Sequence, residues 1–127
     1  MEAEKKPITE LHQDITDWKS DIQLTRSEIG IFQNELREIV RKNNHEAVLK
    51  GVEHFQNQFI RQQEVCDELM HDLHEADRVL ANKATLGSDS GTILKYENPA
   101  LKDRCETFHH LFQELKDEYH RFLEKWM

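Results

Sequence analysis

Three stretches of this chain repeat apolar residues at alternating spacings of three and four, and no other feature limits the fold as much. The first runs Ile8, Leu11, Ile15, Trp18, Ile22, Thr25, Ile29, Phe32, Leu36, Ile39. The second runs Val48, Val52, Phe55, Phe59, Gln62, Cys66, Leu69, Leu73, Ala76, Leu80. The third runs Leu101, Cys105, Phe108, Phe112, Leu115, Tyr119, Phe122, Trp126. A period of ~3.5 residues held over several heptads specifies long helices packed side by side along an apolar seam. It specifies no chemistry.

Turn signals divide the chain at the same places. Pro7 suits a first helical turn, where its missing N–H costs nothing, and Thr9 is an alternative N-cap. The first helix is expected over about 8–42. Asn43-Asn44 then ends one helix and caps the next, with Glu46 at the positive dipole end. The second helix is expected over about 45–84. A loop over 85–98 holds Gly87, Ser88, Asp89, Ser90 and Gly91 and reads as a linker. Asn98-Pro99 reads as an N-cap followed by an N1 proline, opening a third helix over about 99–126. The short turn makes the first two helices antiparallel neighbours. The expected fold is all-α: a single-domain, up-down-up antiparallel three-helix bundle with coiled-coil-like heptad packing. This order, with Trp18 on the first seam and aromatics along the third, is similar in outline to a spectrin-type repeat. The likeness is one of fold. The chain departs from that pattern in being a single unit and in its short first turn.

Folding the first two ladders about Asn44 pairs Phe32 with Phe55, Trp18 with Leu69 and Thr25 with Gln62. Starting the third helix level with Leu80 brings Tyr119 beside Gln62. Thr25, Gln62 and Tyr119 then form an internal polar layer that fixes register. The same register puts Cys66 near Leu115 and Cys105 near Ala76, ~15 Å apart along the axis and too far for a disulfide. It also ends the third helix short of the turn. Leu36, Ile39, Val40, Val48, Leu49 and Val52 are then uncovered and form an apolar partner-binding tip.

Composition narrows the functional classes. The formal net charge of -8, with basic and acidic residues interleaved, disfavours nucleic-acid binding. A mean hydropathy of -0.82 and the lack of a long apolar run argue against membrane insertion. The polar start MEAEKKP has no signal core, so a cytoplasmic location is expected. Both cysteines fall on ladders and read as core residues. Of the 8 histidines, His71 and His109 occur in Glu-x-x-His spacings with Glu68 and Glu106. That spacing supplies ligands in di-metal bundles when it points inward. Here the ladders turn Glu68 and His71 away from the seam and leave Glu106 and His109 at its flank. Surface binding through His71 with His74 or Glu75, or through His109 or His110 with Gln113 or Glu114, is the remaining metal option. His12, His54 and His120 read as exposed. No nucleophile, phosphate-loop or calcium-loop motif is present. Ile93, Leu94 and Tyr96 are expected to fold over the open end of the bundle near Ile8.

Several apolar residues lie off the seams. Leu24 and Ile31 are seven apart on the first helix; Leu49, Ile60, Val65, Met70 and Val79 flank the second seam. Ile31 and Ile60 are the hardest to place inside. The expected function is a non-enzymatic interaction module without cofactors, binding a protein partner or a second copy through the tip. The alternative is a histidine-rich metal-binding protein or metal-dependent enzyme.

Overall fold

Three helices account for nearly all of residues 8–85 and 99–127, the part of the chain that the structure, a computed structural model, describes. They are α1 (Ile8–Lys42), α2 (Glu46–Thr85) and α3 (Pro99–Trp126). The expectations for the glycine-rich linker, for Ile93, Leu94 and Tyr96, and for Pro7 and Asn98 lie outside the described residues. The seams close on one another as an all-α three-helix bundle. Ile22, Ile29, Leu36, Val52, Phe59, Cys66, Leu69, Leu73, Cys105 and Phe112 are almost wholly buried.

The α1–α2 turn is capped from both sides. Asn43 Nδ2 donates to the Ile39 carbonyl at 3.0 Å, satisfying an acceptor at the end of α1. His45, rather than Asn44, caps α2: its Nδ1 accepts from the Ala47 N–H at 3.2 Å, and its carbonyl accepts from the Leu49 N–H at 3.0 Å. Glu46 lies in the first turn of α2 and Arg41 and Lys42 in the last turn of α1, each matched to the local dipole.

The register of α3 differs from the one drawn from the ladders. Lys116 Nζ bonds Glu28 at 3.0 Å, Tyr119 Oη donates to Glu35 at 2.8 Å, and Arg104 pairs with Asp72 at 2.8 Å. Tyr119 therefore lies well beyond Thr25 and Gln62, and α3 is displaced toward the α1–α2 turn by about seven residues, or ~10 Å at ~1.5 Å per residue. The layer of Thr25, Gln62 and Tyr119 does not form. Tyr119 instead sits among Phe32, Phe59 and Phe55, with ring centroids 5.0, 5.2 and 5.4 Å away. The displacement leaves Leu11 and Leu80, at the opposite end, in a small cluster separate from the main core.

Two observations explain the displacement. Moving α3 toward the turn gathers Phe32, Phe55, Phe59, Tyr119 and Phe122 into one set of tilted and edge-on rings, which bury large areas and attract through their quadrupoles. It also lays the Phe122 ring on Gly51. A Cβ at Gly51 would sit 3.0 Å from two ring carbons of Phe122 and closer still to Cε1. Glycine costs a helix interior about 1 kcal/mol relative to alanine, and here its bare backbone admits an aromatic ring. Gly30 has no such neighbour.

The two glycines should therefore respond in opposite directions. Gly30→Ala should raise stability by about 0.5–1 kcal/mol, the gain in helix propensity. Gly51→Ala should lower it despite the same gain, by about 1–3 kcal/mol of overpacking. Adding Phe122→Leu to Gly51→Ala should recover part of the loss, as read from thermal and denaturant unfolding.

Candidate functional site

The residues expected to form an open tip are mostly covered. Leu36, Ile39, Val48 and Val52 are buried, Leu49 is half-buried, and Val40 alone of the six stays largely exposed, at 43%. This corrects the reading of a contiguous apolar patch. The displaced α3 carries Phe122, Leu123 and Trp126 onto this end of the core. The Trp126 ring lies 5.3 Å from His45, the cap of α2, and Lys125 Nζ stands 5.3 Å from its centroid.

The polar groups inside and around the bundle serve packing. Burial raises the Tyr119 phenol, and its bond to Glu35 raises it further, so it stays protonated as a hydrogen-bond donor. Burial likewise pushes both the Cys66 and Cys105 thiols up to about 11. They are free and buried, hence neutral and poorly nucleophilic. In the observed register Cys66 and Cys105 lie within about one helical turn of the same level, ~5 Å, and not ~15 Å apart.

Near the other end, His12 Nδ1 and Lys19 Nζ meet the two oxygens of Asp77 at 2.6 and 3.2 Å. Burial alone would raise the Asp77 carboxyl, but these two bonds outweigh it and hold the group below its ordinary range. The three side chains join α1 to α2 as an ion-pair clamp.

The Glu-x-x-His pairs do not converge. Glu68 and His71 border a shallow depression with Asp67, Asp72 and Arg104, while His109 Nδ1 faces Asp21 at 3.7 Å. Among the described residues no three histidine, cysteine or acidic side chains are grouped to hold a metal ion. His12, His54 and His120 are exposed. An open groove of about 410 Å³ between α2 and α3 is lined by Val65, Leu69, Phe108 and Leu111 together with the charged and polar Arg61, Glu68, Asp103, Arg104 and Thr107. Gln62 Oε1 lies buried there without a hydrogen-bond partner. The described residues carry no catalytic motif.

The surface is more informative on the outer side of α1. Leu24 and Ile31 are 62% and 56% exposed, seven residues apart and off the seam. Between and beside them, Ser20, Ser27 and Asn34 are also exposed. Ser20, Leu24, Ser27, Ile31 and Asn34 continue the alternating spacing of four and three. The first ladder thus has a second, unburied counterpart on the same helix. Sequence reasoning noted Leu24 and Ile31 but missed this seam, because serine and asparagine do not register in an apolar count. Ile60 is 51% exposed, and Leu111, 50% exposed, belongs to the α2–α3 groove with Val65 and Phe108.

No family model, curated protein or solved structure matches this chain. The likeness to a spectrin-type repeat remains one of outline, in helix order and in the seam positions of Trp18 and the α3 aromatics. Among the described residues no helix is long and apolar enough to cross a membrane.

Three outcomes follow from these environments. Gln62→Leu should raise the melting temperature, because it removes a buried acceptor that has no partner. Asp77→Asn should destabilise the protein at pH 7. A depressed folded-state carboxyl contributes stability above its unfolded pKa of ~3.9 and loses it as pH falls through the folded value. The gap between wild type and Asp77→Asn should accordingly close in melts taken at the most acid pH that leaves the fold intact. A thiol reagent at pH 7.5 should modify neither cysteine rapidly in the native protein and both in denaturant.

Proposed function

We propose that this chain is a non-enzymatic helical interaction module that binds a partner along the outer face of α1. The observation that carries the reading is the pair Leu24 and Ile31, both more than half exposed on a helix whose other seam is already closed into the core. Single exposed apolar residues are ordinary on protein surfaces. Two at heptad spacing, with small polar residues at the alternate positions, have the pattern that a neighbouring helix packs against. The helix is long, 35 residues, and is tied to α2 through Lys19 and Arg26 and to α3 through Glu28 and Glu35, so the face is presented on a helix already formed. The sequence-based expectation of a cytoplasmic location belongs to this reading.

Self-association through the tip is the second reading, and it now rests on Val40 and Leu49, the two members of that set not fully buried. Val40 and Leu49 lie on different helices either side of the turn, so they make no heptad-spaced seam for a neighbouring helix to pack against.

The test is photo-crosslinking of the full chain in its native cell, with the crosslinker at Ser27. A discrete heavier product should form, and Leu24→Ser with Ile31→Ser should remove it while the circular dichroism spectrum and melting temperature stay nearly unchanged. Absence of a product, or a product of equal yield from a crosslinker at exposed Lys102, would contradict the reading.

A further inference from the structure

We infer that the partner seated on the outer face of α1 is a basic amphipathic helix of another protein, and not a second copy of this chain. The inference rests on the interaction reading above and names the chemistry of the occupant. α1 segregates its charges by side. Between residues 17 and 35 its basic side chains are Lys19 and Arg26, and both turn toward α2, where they pair with Asp77 and Asp67. The acidic residues Asp17, Asp21, Glu28 and Glu35 lie toward α3 and the outer face. Lys116 of α3 reaches Glu28 at 3.0 Å and His109 faces Asp21 at 3.7 Å, but Asp17 faces solvent with Gln13 as its hydrogen-bonding neighbour. On α3, exposed Glu106 is three residues before His109 and exposed Asp117 directly follows Lys116, two of the residues that reach α1, with exposed Glu124 a heptad beyond Asp117. Only toward the α1–α2 turn does the strip become balanced, where Arg37 and Arg41 bind Asn34 and Glu38.

An apolar strip set in acidic surroundings selects its occupant. Leu24 and Ile31 act as knobs one heptad apart, and Ser27 between them and Ser20 before them let a second backbone approach closely. A helix with apolar residues at matching heptad positions and Lys or Arg on its flanks meets both features, and long-range attraction speeds its arrival. A second copy would set the same acidic flanks against each other, on a molecule whose formal charge is already -8. Exposed Asn34 at the end of the strip gives a helical partner a polar position by which to set its register.

The experiment titrates the full chain with a designed helical peptide that carries leucine at a and d and lysine at e and g. The controls are the same peptide with glutamate replacing every lysine, and sedimentation of the chain alone. Saturable binding of the lysine peptide is expected. It should weaken about tenfold or more when Leu24→Ser and Ile31→Ser are combined, and again when salt shortens the Debye length from ~10 Å to ~3 Å. Asp17→Asn with Asp117→Asn should weaken it less, mainly through the association rate. The glutamate peptide should not bind, and the chain should remain a monomer. Equal binding of the two peptides, binding indifferent to Leu24 and Ile31, or a dimer abolished by their replacement would overturn the inference. A crosslinked product at Ser27 alongside a failed titration would leave the interaction module standing with a partner of other chemistry; loss of both would end both readings.

Discussion

The level at which the third helix packs, with the Phe122 ring over the bare backbone of Gly51 and Tyr119 among three phenylalanines, decides most of the structure's particulars. With the ring seated there, Tyr119 falls among Phe32, Phe55 and Phe59, and its hydroxyl meets Glu35. Trp126 then reaches His45 at the turn, and Arg104 reaches Asp72. A helix pair held by an apolar ladder alone can slide by one heptad and meet an equivalent ladder. A glycine opposite an aromatic ring occurs at one level only, and sliding would either leave the ring without its slot or drive it into a Cβ.

The same placement decides where the molecule has surface to offer. By covering Leu36, Ile39, Val48 and Val52, α3 removes the tip as a large apolar patch. By bonding Glu28 and Glu35 from one side while α2 takes Lys19 and Arg26 on the other, the bundle sorts the charges of α1. What is left outward is a strip of Leu24 and Ile31 with carboxylates along its α3 side. The functional reading is thus a consequence of packing: the seam that builds the core uses one side of α1, and the opposite side repeats the heptad spacing at lower hydrophobicity.

The helices and their buried faces were legible in the sequence because the 3-4 spacing is periodic and long. Ladder residues such as Ile22, Ile29, Phe59 and Leu73 are buried as their positions require. The register of α3 was not legible from the same pattern, because a displacement of about seven residues returns a heptad pattern to itself. The polar positions Thr25, Gln62 and Tyr119 invited an alignment, but a tyrosine hydroxyl is satisfied as readily by a carboxylate at the rim, and Glu35 supplies it. Gly51, a glycine inside a helical stretch, was the signal that broke the degeneracy. The capping role of His45 was hidden behind Asn43-Asn44, the better-known capping residues. The outer strip was half visible: Leu24 and Ile31 stood out, while its serines and Asn34 drew no notice until exposure showed them on one face.

The most direct test of this account is the set of proton–proton contacts made by the α3 aromatic rings in solution. Nuclear Overhauser effects from the Phe122 ring to the Gly51 Hα protons, and from the Tyr119 ring to the Phe32, Phe55 and Phe59 rings, are expected together. Contacts from Tyr119 to Gln62 and from Trp126 to Phe55, with none between Phe122 and Gly51, would place α3 a heptad away and contradict both the core described and the surface derived from it.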